Sequence, residues 1–284
     1  MLRIAIQAKG RLSEQSLAIL SEAGIEVDET KRKFLSRSSN FPAEILFLRD
    51  DDIPQAVAMG VTDAGIVGYN EVLEKGVEGL TVTDSLGFGG CRISLAVPKD
   101  VDYTGLSWFE GKRIATSYPN ILGDFLDRKG IKAVVTTISG SVEIAPAVGM
   151  CDAIFDIVSS GGTLVSNGLV EVETVVSSEA VFVTRTGLPE EKRRMLEQIT
   201  FRLNAVKESR DKKYLLMNIP ASALDEAIRI VPAMRSPTVL PLAQEGWYSL
   251  HSVVDAASLW EKVERLKEVG AEGILVLSVE KMIL

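Results

Sequence analysis

The chain has 284 residues, 46% hydrophobic and 25% charged, with a formal net charge of −8. At a soft scale of about 150 residues per domain that is about two domains of ordinary globular composition, which excludes a minimal module and wholesale disorder. With only 31 Lys+Arg, a protein that holds nucleic acid mainly by neutralising phosphates is a poor fit, so any anion site must be local. Two cysteines, Cys91 and Cys151, and one histidine, His251, supply neither a disulfide framework nor a structural zinc site. No signal-peptide run opens the chain and no stretch approaches the roughly 18 apolar residues of a spanning helix, so a reducing, cytoplasmic setting is expected.

Short Ile/Val-rich runs alternate with helical stretches, the pattern of an α/β fold with mostly buried strands. Residues 3–7 read as a strand, Lys9-Gly10-Arg11 as a turn, and Ser13 as the cap of a helix closed by Gly24. Residues 45–49 form the next strand. Asp50-Asp51-Asp52 and Ile53-Pro54 open a helix with acids and an early proline, and Gly60 stops it. A strand over 61–67 ends at Gly68, where the backbone opens into a short helix over 69–75. A second lobe begins near residue 93, with strands over 93–97, 113–116, 133–138 and 153–158 and helices over 121–129 and 142–149. Strands over 173–176 and 180–184 carry the chain back, followed by a helix over 190–206. The expected lobes are thus 1–93 with 177–206, and 94–176.

The charged residues 207–213 read as a linker. Beyond it the order changes to strand, helix, strand, strand, helix, strand, which is the ferredoxin-like βαββαβ unit, expected over 208–284.

Asp156-Ile157-Val158-Ser159-Ser160-Gly161-Gly162-Thr163 is the most informative segment, a carboxylate at a strand end followed by hydroxyls and paired glycines. Consecutive amides can converge on a phosphate where no Cβ obstructs them, and Ser159, Ser160 and Thr163 can add donors. The plainer alternative is a tight strand-to-helix turn. Glu143, in Ser139-Gly140-Ser141-Val142-Glu143, is either a first-turn acid or a ligand group at the same end of a parallel sheet. Lys9 and Arg11 flank a glycine directly after the first strand, as polyphosphate would require, although solvated charge looks the same. Arg49 and Arg92 each need an acid, such as Asp50, or an anionic ligand. Lys31-Arg32-Lys33 reads as a solvated face with a steering role. No nucleophile has an evident base, since neither cysteine lies near a histidine, and Cys91 reads as a packed residue.

Lys9-Gly10-Arg11-Leu12, Arg49-Asp50-Asp51-Asp52-Ile53-Pro54, Asp63-Ala64-Gly65-Ile66-Val67-Gly68, Gly89-Gly90-Cys91-Arg92, residues 113–120 and residues 156–164 together resemble the ATP phosphoribosyltransferases, in that order and over nearly the whole chain. Ser236-Pro237-Thr238 and the closing βαββαβ unit resemble the family's long form, whose third domain is ACT-like. The resemblance implies a two-lobed core of the type II periplasmic-binding-protein kind with substrates in the cleft. It implies transfer of phosphoribose from phosphoribosyl pyrophosphate to N1 of ATP, with pyrophosphate released and Mg²⁺ present, as the first step of histidine biosynthesis.

On that resemblance the phosphoribosyl loop falls on Asp156 to Thr163, with Gly161 and Gly162 at its centre, and the upstream acid on Glu143. Lys9, Arg11, Arg49, Asp63 and Gly68 carry over to the nucleotide side. Ile157 stands where ordinary phosphoribosyltransferases have a second acid, so ribose and metal contacts would be shared with Glu143 or Asp152, or supplied by water. Histidine is expected to inhibit at the third domain, with Asn218, Ser236 and Thr238 as candidates, by shifting a homo-oligomer that the family leads one to expect as a hexamer built from dimers. Two other readings are a solute-sensing protein on the same two-lobed core and a phosphoribosyltransferase acting on another base.

Overall fold

The computed structural model describes residues 1–27 and 34–284, so the Lys31-Arg32-Lys33 run lies outside the described residues. Residues 1–198 and 199–284 form two compact units.

The first unit contains two sheets. Strands β1 (Leu2–Gln7), β2 (Leu35–Arg37), β3 (Ala43–Leu48), β4 (Ala64–Gly68), β5 (Leu80–Ser85) and the returning β11 (Ala180–Arg185) lie in the order β2-β3-β1-β4-β11-β5. Strands β6 (Cys91–Pro98), β7 (Arg113–Thr116), β8 (Val134–Thr137), β9 (Ala153–Val158) and β10 (Leu169–Ser178) lie in the order β10-β6-β9-β7-β8. The chain passes from the first sheet to the second after β5 and returns after β10. Strand β1 is parallel to β3 and β4, and β7 is parallel to β8 and β9. Each lobe therefore gathers the carboxyl ends of its central strands along one edge, where open α/β sheets bind ligands. Leu2, Ile4, Ala5 and Ile6 of β1 are fully buried, as expected for a parallel strand covered on both faces.

Helices α1 (Arg11–Glu22), α2 (Ile53–Ala58), α3 (Tyr69–Lys75), α4 (Pro119–Lys129), α5 (Gly162–Ser166) and α6 (Glu190–Arg210) complete the first unit and lead into the second. Three expectations need correction. Ser13 does not cap α1 but is buried within its first turn. The capping position is Gly10, at φ 89° and ψ −179°, a region of backbone space open essentially only to glycine. The helix expected over 142–149 shrinks to a single 3₁₀ turn, Val142–Ile144, because Pro146 has no amide to continue a helical ladder. The supposed linker over 207–213 is the last turn of α6 running almost directly into the next strand. Within it Ser209 is buried and donates to the carbonyls of Val206 and Glu280, so this charged run has one packed face.

In the second unit β12 (Lys212–Pro220), α7 (Leu224–Ile230), β13 (Thr238–Pro241), β14 (Trp247–Asp255), α8 (Leu259–Glu268) and β15 (Glu272–Ser278) give the expected βαββαβ order, with an antiparallel sheet β13-β14-β12-β15. Leu215, Met217, Ile219 and Leu250 pack against Ala227, Ile230 and Leu266 of the helices. Alternation then puts Tyr214, Leu216 and Asn218 on the other face. No helix among the described residues is long and apolar enough to cross a membrane.

One anchoring device occurs in both lobes. Asp63, just before β4, accepts the Arg3 amide at 2.9 Å while its own amide donates to the Arg3 carbonyl. Asp152, just before β9, makes the same exchange with Arg113. Lys192 adds 2.8 Å contacts to both oxygens of the buried Asp63 carboxylate, and the Arg113 guanidinium holds the Asp152 carboxyl below its ordinary range. Both acids precede their strands and so lie at the amino ends, opposite the carboxyl ends where open α/β sheets generally bind ligands. Removing one partner of a buried, hydrogen-bonded charge pair is costly. Asp63→Ala should lower unfolding free energy by about 2–4 kcal/mol in urea titrations; an unaltered stability would contradict this.

Candidate active site

Strand β9 delivers the segment that the sequence singles out. Its last residues lead into Ser159 and Ser160, then Gly161 at φ 82°, a left-handed position that a glycine fills without strain. The amides of Ser160, Gly161, Gly162 and Thr163 meet no acceptor among the described residues. A Cβ at Gly162 would have a single neighbour, the Ser160 hydroxyl at 3.6 Å, so the concave side is open. Helix α5 has only five residues, and the capacity for an anion therefore rests on these loop amides rather than on a helix dipole.

Asp156 lies two residues back from the strand end. Burial pushes its carboxyl up to about 6, with the charge of Glu143 adding to the rise and the Ile157 amide, at 2.8 Å, opposing it. Glu143 is close enough for its charge to be felt and sits in the 3₁₀ turn behind Ser141, whose φ of 53° is left-handed. Among the described residues, no group of three His, Cys, Asp or Glu could hold a metal ion.

From the other lobe, the turn after β1 brings Arg11, whose Nη2 donates to Ser159 Oγ at 3.3 Å. This contact spans the two sheets and brings together the basic turn and the glycine-rich loop. Lys9 is exposed, and neither it nor Arg11 has an acid partner among the described residues. Arg49 follows β3 and contacts Asp51 at 3.2 Å, an exposed pair of small worth that leaves the guanidinium available. Gly68 ends β4; a Cβ there would lie 2.4 Å from Asn70 Oδ1, so its missing side chain makes room for Asn70. Arg92 finds its acid in Glu171 of β10, not Asp50.

Sequence reasoning missed a buried network between the lobes. The Asn70 side chain and Tyr118 Oη both donate to Glu71 Oε1, at 2.9 and 3.0 Å, and Ser178 Oγ donates to Asn70 Oδ1 at 2.8 Å. One turn on, both oxygens of Glu74 accept the Asn120 and Ile121 amides at 3.0 Å. The N-terminus of α4 has no side-chain cap of its own, so a carboxylate from α3 in the other lobe satisfies its orphan donors and complements its dipole.

In the second unit, Asn218 pairs with Ser249 and Thr238 with His251 across the sheet. Directly paired residues share a face, so Asn218 and Thr238 both lie on the face away from the helices. His251 between them is held by Tyr214 Oη at 2.8 Å and Ser249 Oγ at 3.0 Å. Ser236 lies in the loop before β13 and donates to the Pro237 carbonyl at 3.3 Å.

Residues 49–205 match the family model of ATP phosphoribosyltransferase, and residues 209–281 match the model of that family's C-terminal domain. The ATP phosphoribosyltransferase of Phocaeicola vulgatus is 60% identical over 284 residues, with all of both chains covered, and that of Bacteroides thetaiotaomicron is 58% identical over 283, again with all of both covered. The chain belongs to the ATP phosphoribosyltransferase family. It is an enzyme of histidine biosynthesis. Among solved structures, the ATP phosphoribosyl transferase complex (HisG:HisZ) of Thermotoga maritima is 29% identical at a TM-score of 0.64, covering 73% of this chain and 99% of that one. A histidine kinase sensor domain similar to periplasmic binding proteins, 13% identical at a TM-score of 0.51, covers 81% of this chain and 94% of that one. It shows the fold alone, the two-lobed periplasmic-binding-protein type expected for the phosphoribosyltransferase core.

The network between the lobes titrates. Burial pushes Glu71 up to about 7, with the neighbouring Asp50 and Asp51 adding to the rise and Tyr118 opposing it. The folded state therefore binds this proton more tightly than the unfolded chain, where the carboxyl titrates near 4.5. Its stabilising contribution is complete below about pH 4.5 and is lost as the pH rises through 7. Glu71→Gln keeps the acceptor oxygen without the charge, so its melting temperature relative to wild type should climb between pH 5 and pH 8, by about 1–2 kcal/mol of stability. A difference that does not change with pH would show Glu71 to be ionised throughout.

Proposed function

We propose that the cleft transfers phosphoribose from phosphoribosyl pyrophosphate to N1 of ATP, releasing pyrophosphate. The single observation carrying this reading is the bend at residues 159–163, with four amides lacking acceptors and Arg11 reaching it from the opposite lobe. The amides of Ser160, Gly161, Gly162 and Thr163 take the 5′-phosphate, with the Ser159, Ser160 and Thr163 hydroxyls as further donors. Glu143 and Asp156 take the ribose hydroxyls. Lys9 and Arg11 hold the departing pyrophosphate, and Arg49 contributes on the nucleotide side.

N1 of adenine already has a lone pair, and the anomeric carbon becomes cation-like as pyrophosphate leaves, so orientation and charge neutralisation suffice. A strong base is not needed. The family's divalent ion fits this donor set. With no cluster of three protein ligands among the described residues, an ion is accommodated if it arrives on substrate phosphates and takes one or two carboxylates, here Glu143 and Asp156, whose mutual charge it relieves. When bound, Mg²⁺ supplies positive charge to the pyrophosphate oxygens.

Histidine, as feedback inhibitor, binds the third domain through Asn218, Ser236 and Thr238 and shifts a homo-oligomer between states. Strands β13 and β15 leave sheet edges that pair between subunits of a cytoplasmic hexamer built from dimers.

Mixing ATP, phosphoribosyl pyrophosphate and Mg²⁺ should release pyrophosphate, and histidine should slow it; no release would favour a binding protein on the same core. Gly162→Val adds atoms where the protein leaves open space, so the variant should fold. Its Michaelis constant for phosphoribosyl pyrophosphate should rise at least tenfold, about 1.4 kcal/mol of binding or more; a wild-type value would contradict the loop assignment.

A further inference from the structure

Glu171 lies outside the loop and outside the residues assigned to substrates above, yet more donors converge on it than on any of them. Arg92 Nε and Nη2 reach its two oxygens at 2.5 Å each. Ser94 Oγ and Thr174 Oγ1 both donate to its Oε1, at 2.7 and 3.2 Å. The sheet has to be irregular for this to happen. Residues 171 and 174 are an odd number apart and would project from opposite faces of a regular strand. The pairing of β10 with β6 shifts register between Glu171 and Glu173, so Glu171 faces Ala96 while Thr174 faces Ser94. One extra residue, Val172, puts both on the face that carries Arg92 and Ser94, which is also the face of Asp156, the partner of Ser94 on β9.

Two of the five Arg92 N–H donors are fixed by this fork, and one of the others, on Nη1, has a single target. Nη1 donates to the carbonyl of Ser159 at 3.2 Å. The described chain has no cis peptide, and in a trans peptide the carbonyl and the following amide point in opposite directions. Fixing the Ser159 carbonyl toward Arg92 therefore fixes the Ser160 amide away from it, unpaired, as the first of the four free amides of the bend. The same residue is gripped on its hydroxyl by Arg11.

We infer that Glu171 is a positioning residue for the transfer reaction: by clamping Arg92 on the Ser159 carbonyl, it presets the loop peptide that receives the donor's 5′-phosphate. A planar guanidinium held at two points presents its remaining N–H groups in fixed directions, whereas a free one samples many. This inference rests on the reading of residues 159–163 as the phosphate loop, and it adds a residue that reaches the substrate only through Arg92 and the peptide.

The test is steady-state kinetics with each substrate varied in turn on the full-length enzyme, using Glu171→Gln, Arg92→Lys and the double variant. Glu171→Gln should raise the Michaelis constant for phosphoribosyl pyrophosphate about tenfold, with that for ATP within twofold of wild type and the melting temperature unchanged. Arg92→Lys, which keeps the charge but not the fork, should do the same, and the double variant should be no worse than either single one, because both changes break one linkage. An unchanged donor Michaelis constant in the single variants, a rise shared equally by both substrates with a falling melting temperature, or simple additivity in the double variant overturns the inference. If Glu171→Gln does not fold, Arg92→Lys is read by the same split. Gly162→Val, run alongside, separates two failures. Wild-type donor binding there refutes the loop reading itself, whereas weakened binding there with unaltered Glu171→Gln kinetics refutes only the positioning role.

Discussion

Four consecutive peptide amides without acceptors are unusual in a folded chain, because an amide withheld from both protein and water costs about as much as a lost hydrogen bond. The bend after β9 tolerates them because it is open to solvent on its concave side and glycine at its centre. The rest of the first unit can be understood as holding that bend in place. Arg92 fixes one peptide from below, Arg11 fixes a hydroxyl from across the cleft, and Asp152 ties the start of the same strand to β7. The transfer proposed for the site needs fixed donors aimed at phosphate and no proton abstraction, which is consistent with the absence of histidine from this unit.

Placement of the two cations depends on the relation between the sheets, and that is set largely by α3 and α4. A glutamate on α3 takes the place of a local cap for α4, while Asn70, Glu71, Tyr118 and Ser178 satisfy one another in the buried space beside the chain crossing. Such a network resists partial opening, since a member that loses its partner is left buried and unpaired. The Arg11 contact with Ser159 is by contrast exposed and single, and an anion entering the cleft can replace it at little cost.

Alternating apolar runs and helical stretches made the two-lobed core and the βαββαβ unit legible, and the loop after β9 stood out because carboxylate, hydroxyl and paired glycine occur together. The strand ends of Asp63 and Asp152 are not legible in the sequence, because an acid beside an apolar run looks the same at either end of a strand. Only the start of β4 at Ala64 and of β9 at Ala153 shows that both acids sit at the amino ends of their strands. Glu171 was hidden by the extra residue in β10, which breaks the two-residue alternation on which face assignment relies. Glu71 and Tyr118 are 47 residues apart, and no local pattern ties a helix acid to a tyrosine in another lobe. The last turn of α6 reads as a linker in the sequence because its charges outweigh one buried serine.

Amide hydrogen exchange at Ser160, Gly161, Gly162 and Thr163 tests the central claim most directly, because each is a donor that the folded chain leaves unused. These four should exchange rapidly in the enzyme alone and become protected when phosphoribosyl pyrophosphate and Mg²⁺ are saturating, with protection falling away as the ligand is diluted. If calorimetry shows the donor bound while all four amides continue to exchange at their unliganded rates, the phosphate lies elsewhere and the account of this cleft is wrong.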